Sequence, residues 1–162
     1  MDRRTAFAQF LGLAETMLRE IDSAAVFLPG HGEDESPEDD EVRRERLYDY
    51  IHQWETELQA ALGEVELLAT PSVVDLADRV STALIEVTAP VELRSQFNDY
   101  YPMWFQTRDL VEVLRNAMRT ELGLEPMSVD ERLAERRASD YPWLEDRPPR
   151  DTYVRRQPRL GD

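Results

Sequence analysis

Asp49 and His52 stand three residues apart in a stretch with helical periodicity, so they share one helix face. A carboxylate and an imidazole placed in this way are half of a metal site, and a carboxylate-bridged metal bundle needs paired Glu-x-x-His units. The only other histidine is His31, beside Pro29 and Gly30 in a loop pattern. The pair therefore reads as an ordinary surface contact, and no metal is expected. All 19 basic residues are arginine, which removes lysine nucleophiles and Schiff bases. Cysteine is absent, which removes thiol catalysis, disulfides and thiolate metal sites.

Other chemistry fares no better. Gly30-His31-Gly32 lacks the strand before it and the lysine after it that a phosphate-binding loop requires. No nucleophile elbow is present for a Ser-His-Asp arrangement. The acidic loop His31 to Asp40 lacks the alternating oxygen ligands and central glycine of a tight calcium site. The remaining acids read as solvated polar faces, with none set in an apolar stripe beside a partner. The expectation is a protein without catalytic residues, cofactor or metal.

The elements that would carry any site are helices. Leu47, Ile51, Trp54, Leu58, Ala61, Val65 and Leu68 recur in alternating steps of four and three, one face of a rod about six turns long. Phe7, Phe10, Ala14, Met17, Leu18 and Ile21 mark an earlier helix, about Arg3 to Val26, ended by Pro29-Gly30. Thr70 is placed to cap a third helix, with Pro71 in its first turn. Its inward face is Val73, Ala77, Val80, Leu84 and Val87, and it stops near Ala89-Pro90. Residues Val91 to Tyr100 predict a turn or two of helix with Leu93 and Phe97 inward. Pro102 should break or kink the chain there. A main run from about Met103 to Leu122 packs Leu110, Val113, Leu114, Ala117 and Met118, and Gly123 ends it with positive φ. The fold class expected is all-α: an antiparallel four-helix bundle over 1–125, with a kinked last helical region. A partly extended Pro/Arg-rich tail over 126–162 carries one short helix from Ser128 to about Ala138 and packs on the bundle.

The formal net charge is −15. Direct nucleic-acid binding needs a positive field, and an anionic membrane surface would repel this chain. No apolar run is longer than Ala24 to Leu28, so no membrane span or signal-peptide core is expected and the cytoplasm is the default. The tail has eight arginines and eight acids, which leaves the negative balance in the body, and Arg155, Arg156 and Arg159 are expected near acidic bundle surface.

Two segments suggest contacts. Tyr100, Tyr101, Trp104 and Phe105, with Pro102 and Met103 between them, are too many large residues in a row for one helix face to bury. Tyr141, Trp143 and Leu144 form an apolar anchor in a charged tail. Both suit a protein interface.

The runs Trp54…Leu58…Ala61-Leu62…Val65-Glu66-Leu67-Leu68, then Pro71-Ser72-Val73-Val74-Asp75-Leu76-Ala77, then Arg115-Asn116-Ala117-Met118-Arg119-Thr120-Glu121-Leu122-Gly123 resemble small helical proteins of actinobacteria and their phages. The resemblance covers about Asp40 to Leu124. It implies a helical bundle and assigns neither activity nor site residues. Many of those proteins carry an N-terminal membrane helix, which this chain does not show.

The function expected is a non-enzymatic protein-interaction module: an adaptor, an inhibitor or a small regulatory subunit. Its expected partner is another protein, of basic character, or a second copy. An acidic nucleic-acid mimic that blocks a DNA-binding partner is the alternative, and an unrecognised helical enzyme the third.

Overall fold

Six α-helices form among the described residues, and the reason each begins and ends is local. The computed structural model describes residues 1–30 and 36–127, and among these there is no strand. Asp2 caps α1 (Arg3–Ala25) by accepting from the Thr5 amide at 2.8 Å. Ser36 caps α2 (Pro37–Gln53) in a reciprocal box with Asp39, and Glu38, Asp39 and Asp40 complement the helix dipole in its first turn. The acidic stretch thus enters the helix at Pro37 rather than remaining a loop to Asp40. A π-helical turn, Trp54–Leu58, joins α2 to α3 (Gln59–Leu68) as one continuous rod. The sequence stripe does not reveal this wide turn.

α4 (Pro71–Glu86) starts with proline at its first position, where no amide donor is needed. Thr70 precedes it without a side-chain cap; its amide instead donates to Glu121 Oε1 at 2.9 Å. Ala89 and Pro90 do not end the region. They lie inside a short α5 (Thr88–Glu92), where Pro90 occupies the first turn and forfeits no helical bond. α6 (Phe97–Glu121) runs through Pro102 without a break. Gly123 follows with φ of 77°, as its position after the helix demands.

The core is where four long rods meet: α1, the α2–α3 rod, α4 and α6. α6 packs most extensively on α4 and then on α1, while α1 also packs on α2 and α3. Phe10, Met17, Ile21, Leu58, Val65, Val80, Leu84, Leu110 and Leu114 are buried there. Contacts tie the rod ends together. Arg3 Nε donates to the Leu68 carbonyl at 2.7 Å and lies 3.3 Å from Glu121. The Phe97 amide donates to the Pro29 carbonyl at 2.7 Å. No helix of the described residues is long and apolar enough to cross a membrane.

The interior is not wholly apolar, which corrects the expectation that every acid is solvated. Arg108, Asp109 and Glu112 of α6 are buried. Arg108 pairs with Glu112 one turn on; Arg115 lies 3.6 Å from Glu112 and pairs with Glu15 of α1.

Candidate functional site: a basic-rimmed apolar groove

The aromatic run singled out in the sequence is mostly interior. Tyr100, Trp104 and Phe105 are buried, and Tyr101 is half-buried. Trp104 Nε1 donates to the Leu18 carbonyl at 3.0 Å, and the Tyr100 hydroxyl donates to Asp22. Trp104 meets Phe105 edge-on, while Tyr101 stacks on Phe97 and touches Phe105 edge-on. Tyr100, Trp104 and Phe105 therefore offer no surface to a partner, which corrects the interface expectation for those three. A continuous helix through Pro102 explains it: positions 100, 104 and 97 share one face, and 101 and 105 lie beside it. Tyr141, Trp143 and Leu144 lie outside the described residues, as do His31, Arg155, Arg156, Arg159 and the expected short helix.

A different surface stands out. Arg43, Leu47 and Ile51 follow each other at four-residue steps on α2, and Arg44 and Tyr48 form the adjacent row. Facing them are Glu92, Leu93 and Arg94, at the end of α5 and just beyond it. Together they enclose an open groove of about 480 Å³. Its walls hold two of the chain's exposed large hydrophobic side chains, Tyr48 at 71% and Leu93 at 76% exposure. The helical pattern of residues 91–100 predicts Leu93 inward. It caps the C-terminus of α5 instead, and the turn there swings it outward.

That turn is unusual. The Ser95 amide donates to the Pro90 carbonyl at 2.9 Å and the Arg94 amide to the Val91 carbonyl at 3.3 Å. These two bonds define the helix stop in which the left-handed residue is commonly glycine. Here that residue is Arg94, with φ of 50°. The left-handed conformation costs a residue with a Cβ about 1 to 2 kcal/mol. Strain of this kind, beside an exposed apolar cleft, directs attention to function.

The rim is ordered by Asp40. Arg43, itself buried, donates to Asp40 at 2.6 Å and to the Val91 carbonyl at 2.8 Å, which joins α2 to α5. Arg44 lies 3.0 Å from the same carboxylate with its side chain 73% exposed. The hydrogen bond from Arg43 holds the Asp40 carboxyl below the ordinary aspartate range, and the charges of Arg44, Arg43 and Arg94 act in the same direction. The lining thus carries three guanidinium groups and the Glu92 carboxylate, with Asp40 held behind Arg43 and Arg44, in a chain whose balance is −15. It includes no serine, threonine or lysine. His52, next along the Tyr48 row, stacks on the Tyr48 ring with centroids 6.5 Å apart.

Relief of the backbone gives one expected result. Arg94→Gly raises stability by about 1 kcal/mol, because glycine accepts the left-handed turn without a Cβ clash. The same change removes one rim charge, so any anionic partner binds more weakly. A denaturant melt together with a binding isotherm separates the two effects.

A second hollow lies on the other side of α2, lined by Glu20, Ser23, Arg46, Asp49, Tyr50 and Gln53. Arg46 bridges to the Ser23 carbonyl at 2.8 Å and sits over the Phe27 ring. The buried Tyr50 hydroxyl donates to the Leu84 carbonyl at 2.5 Å. Partial burial pushes the Glu20 carboxyl above the ordinary glutamate range; Glu57 and Asp49 add to this and Arg19 opposes it. A raised carboxyl favours the folded state at low pH, and that contribution is lost as pH rises through the shifted value. Glu20→Gln therefore raises the melting temperature at pH 7 by an increment worth less than about 1 kcal/mol. The increment vanishes below about pH 3, where glutamate is protonated in both states. Paired thermal melts at the two pH values check the sign.

A third, acidic hollow at the α3–α4 corner is lined by Glu66, Asp75 and Asp78 together with Ala69, Pro71 and Val74. Burial raises the Asp78 carboxyl, and Glu66 and Asp75 reinforce the shift. Among the described residues no group of three or more His, Asp and Glu could hold a metal ion.

Compared with known proteins, the chain matches no family model, no curated protein and no solved structure.

Proposed function

We propose that this chain is a non-enzymatic protein-interaction module. Its groove between α2 and the end of α5 takes an acidic, amphipathic segment of a partner protein. The observation that carries this is a single place in the fold. Two exposed apolar side chains, Tyr48 and Leu93, line one cleft with Arg44 and Arg94 at its edge and the buried Arg43 in its wall, and Arg94 is held in a left-handed backbone. Aromatic and aliphatic anchors fill such clefts, and carboxylates beside the anchor meet the guanidinium rim. The overall acidity suggested a basic partner; the charge of the groove favours an acidic one. Within this reading the scaffold is an antiparallel four-helix bundle bent at Pro102. The paired rod ends at Arg3 and Leu68, and at Thr70 and Glu121, support the alternating direction. Kinship with the small actinobacterial and phage bundles belongs to the same reading, as does a cytoplasmic setting.

Panning a displayed peptide library on the full-length chain tests the proposal. Enriched peptides should carry an aromatic or leucine anchor flanked by Asp or Glu, and should fail to bind Tyr48→Asp/Leu93→Asp. Enrichment of basic peptides, or binding that ignores both substitutions, contradicts it. The nucleic-acid-mimic reading has one observation in its favour, the acidic hollow of Glu66, Asp75 and Asp78. It would show as selection of Arg- and Lys-rich peptides whose binding collapses with salt.

A further inference from the structure

We propose that the resting occupant of this groove is the chain's own segment Tyr141-Pro142-Trp143-Leu144-Glu145-Asp146, so that a partner must displace it. This rests on the docking reading above and adds its regulation. The chain leaves α6 in the direction of the groove. After Gly123 the backbone doubles back on α6: the Leu124 amide donates to the Arg119 carbonyl at 2.8 Å, and Arg119 Nε donates to the Glu125 carbonyl at 2.7 Å. Met127 then bonds the Asn116 side chain through both its amide and its carbonyl, each at 2.9 Å. The chain therefore points back along α6 toward Phe97, the end of the fold where α5 and the groove lie.

The tail is also long enough to reach it. From Asn116 back to Phe97, α6 spans about 28 Å at 1.5 Å per residue. Tyr141 is fourteen residues beyond Met127, enough chain for up to about 46 Å. The segment complements the groove. Tyr141, Trp143 and Leu144 supply anchors of the kind that Leu47, Tyr48, Ile51 and Leu93 would cover, and Asp140, Glu145 and Asp146 supply carboxylates for Arg44 and Arg94, with Arg43 buried behind them. Tethering raises the local concentration of the segment to about the millimolar range, so modest contacts suffice.

The absence of cysteine makes the test clean. A nitroxide on Arg147→Cys in the full-length chain should broaden the amides of residues 47–51 and 91–94. Adding Trp143→Ala should abolish that broadening. It should also tighten binding of a panned acidic peptide about tenfold, the factor expected for a groove covered about nine-tenths of the time. No broadening, or broadening at another surface, overturns the inference. So does broadening seen only between copies when labelled and unlabelled chains are mixed, which assigns the groove to a second copy. If the label is silent while panned peptides still need Tyr48 and Leu93, the tail inference fails and the docking reading stands. If peptide binding ignores the groove, the docking reading itself fails.

Discussion

Trp104→Ala lowers the melting temperature by about 10 °C, corresponding to a loss of about 3 to 5 kcal/mol. The side chain is 1% exposed and sits where α6 crosses α1. Removing it deletes the indole, its edge-on contact with Phe105 and its hydrogen bond to Leu18. The cavity cannot close easily, because its walls belong to separate rods. Trp104→Phe separates the contributions: it keeps most of the apolar area and loses the hydrogen bond, so its cost is about 1 to 2 kcal/mol. Circular dichroism melts of the two variants measure this. An alanine variant that melts within 2 °C of wild type, against the about 2 to 4 °C per kcal/mol expected at this size, would place the indole at a surface.

Glu112→Ala costs about as much for a different reason. Glu112 is buried, receives the Arg108 guanidinium and has Arg115 nearby. Its removal leaves Arg108 charged inside the core, an event that costs about 3 to 5 kcal/mol. The paired replacement Arg108→Met/Glu112→Leu removes both charges and keeps the volume, so stability returns to within about 1 kcal/mol of wild type or exceeds it. Urea titrations of the single and double variants form the test. A double variant as weak as the single would mean that the pair organises neighbouring groups such as Arg115 and Glu15 rather than only neutralising itself.

These variants also show what periodicity conveys and what it hides. Phe7 to Ile21 and Val73 to Val87 are read correctly as core faces, because one helix face needs only a repeat of apolar residues at 3.6-residue spacing. Gly123 was legible for the same local reason, since a left-handed stop favours glycine. Pro102 does not end α6: it forfeits one backbone hydrogen bond past the first turn, and tertiary packing outweighs that loss. That single continuity turns Tyr100, Trp104 and Phe105 from a supposed surface into core. Arg108 and Glu112 were hidden by composition, since charged residues in a helix are usually solvated; their four-residue spacing, interleaved with Leu110, Val111 and Leu114, was the available clue. Leu93 and Arg94 were not legible. No glycine marks their helix stop, so nothing announced that a leucine would turn outward and an arginine adopt a left-handed backbone. Tyr48 carried a fainter signal, a large aromatic one position off the Leu47 stripe on an otherwise polar face.

The central claim is that the cleft between α2 and the end of α5 binds acidic, amphipathic segments. Calorimetric titration of a panned peptide into the full-length chain and into Tyr48→Asp/Leu93→Asp tests it most directly. The double variant should lose about a hundredfold in affinity, as expected for two anchor-lining positions. The melting temperature should barely change, because both side chains are exposed. Equal affinity for the two proteins, with the variant still folded, would contradict it.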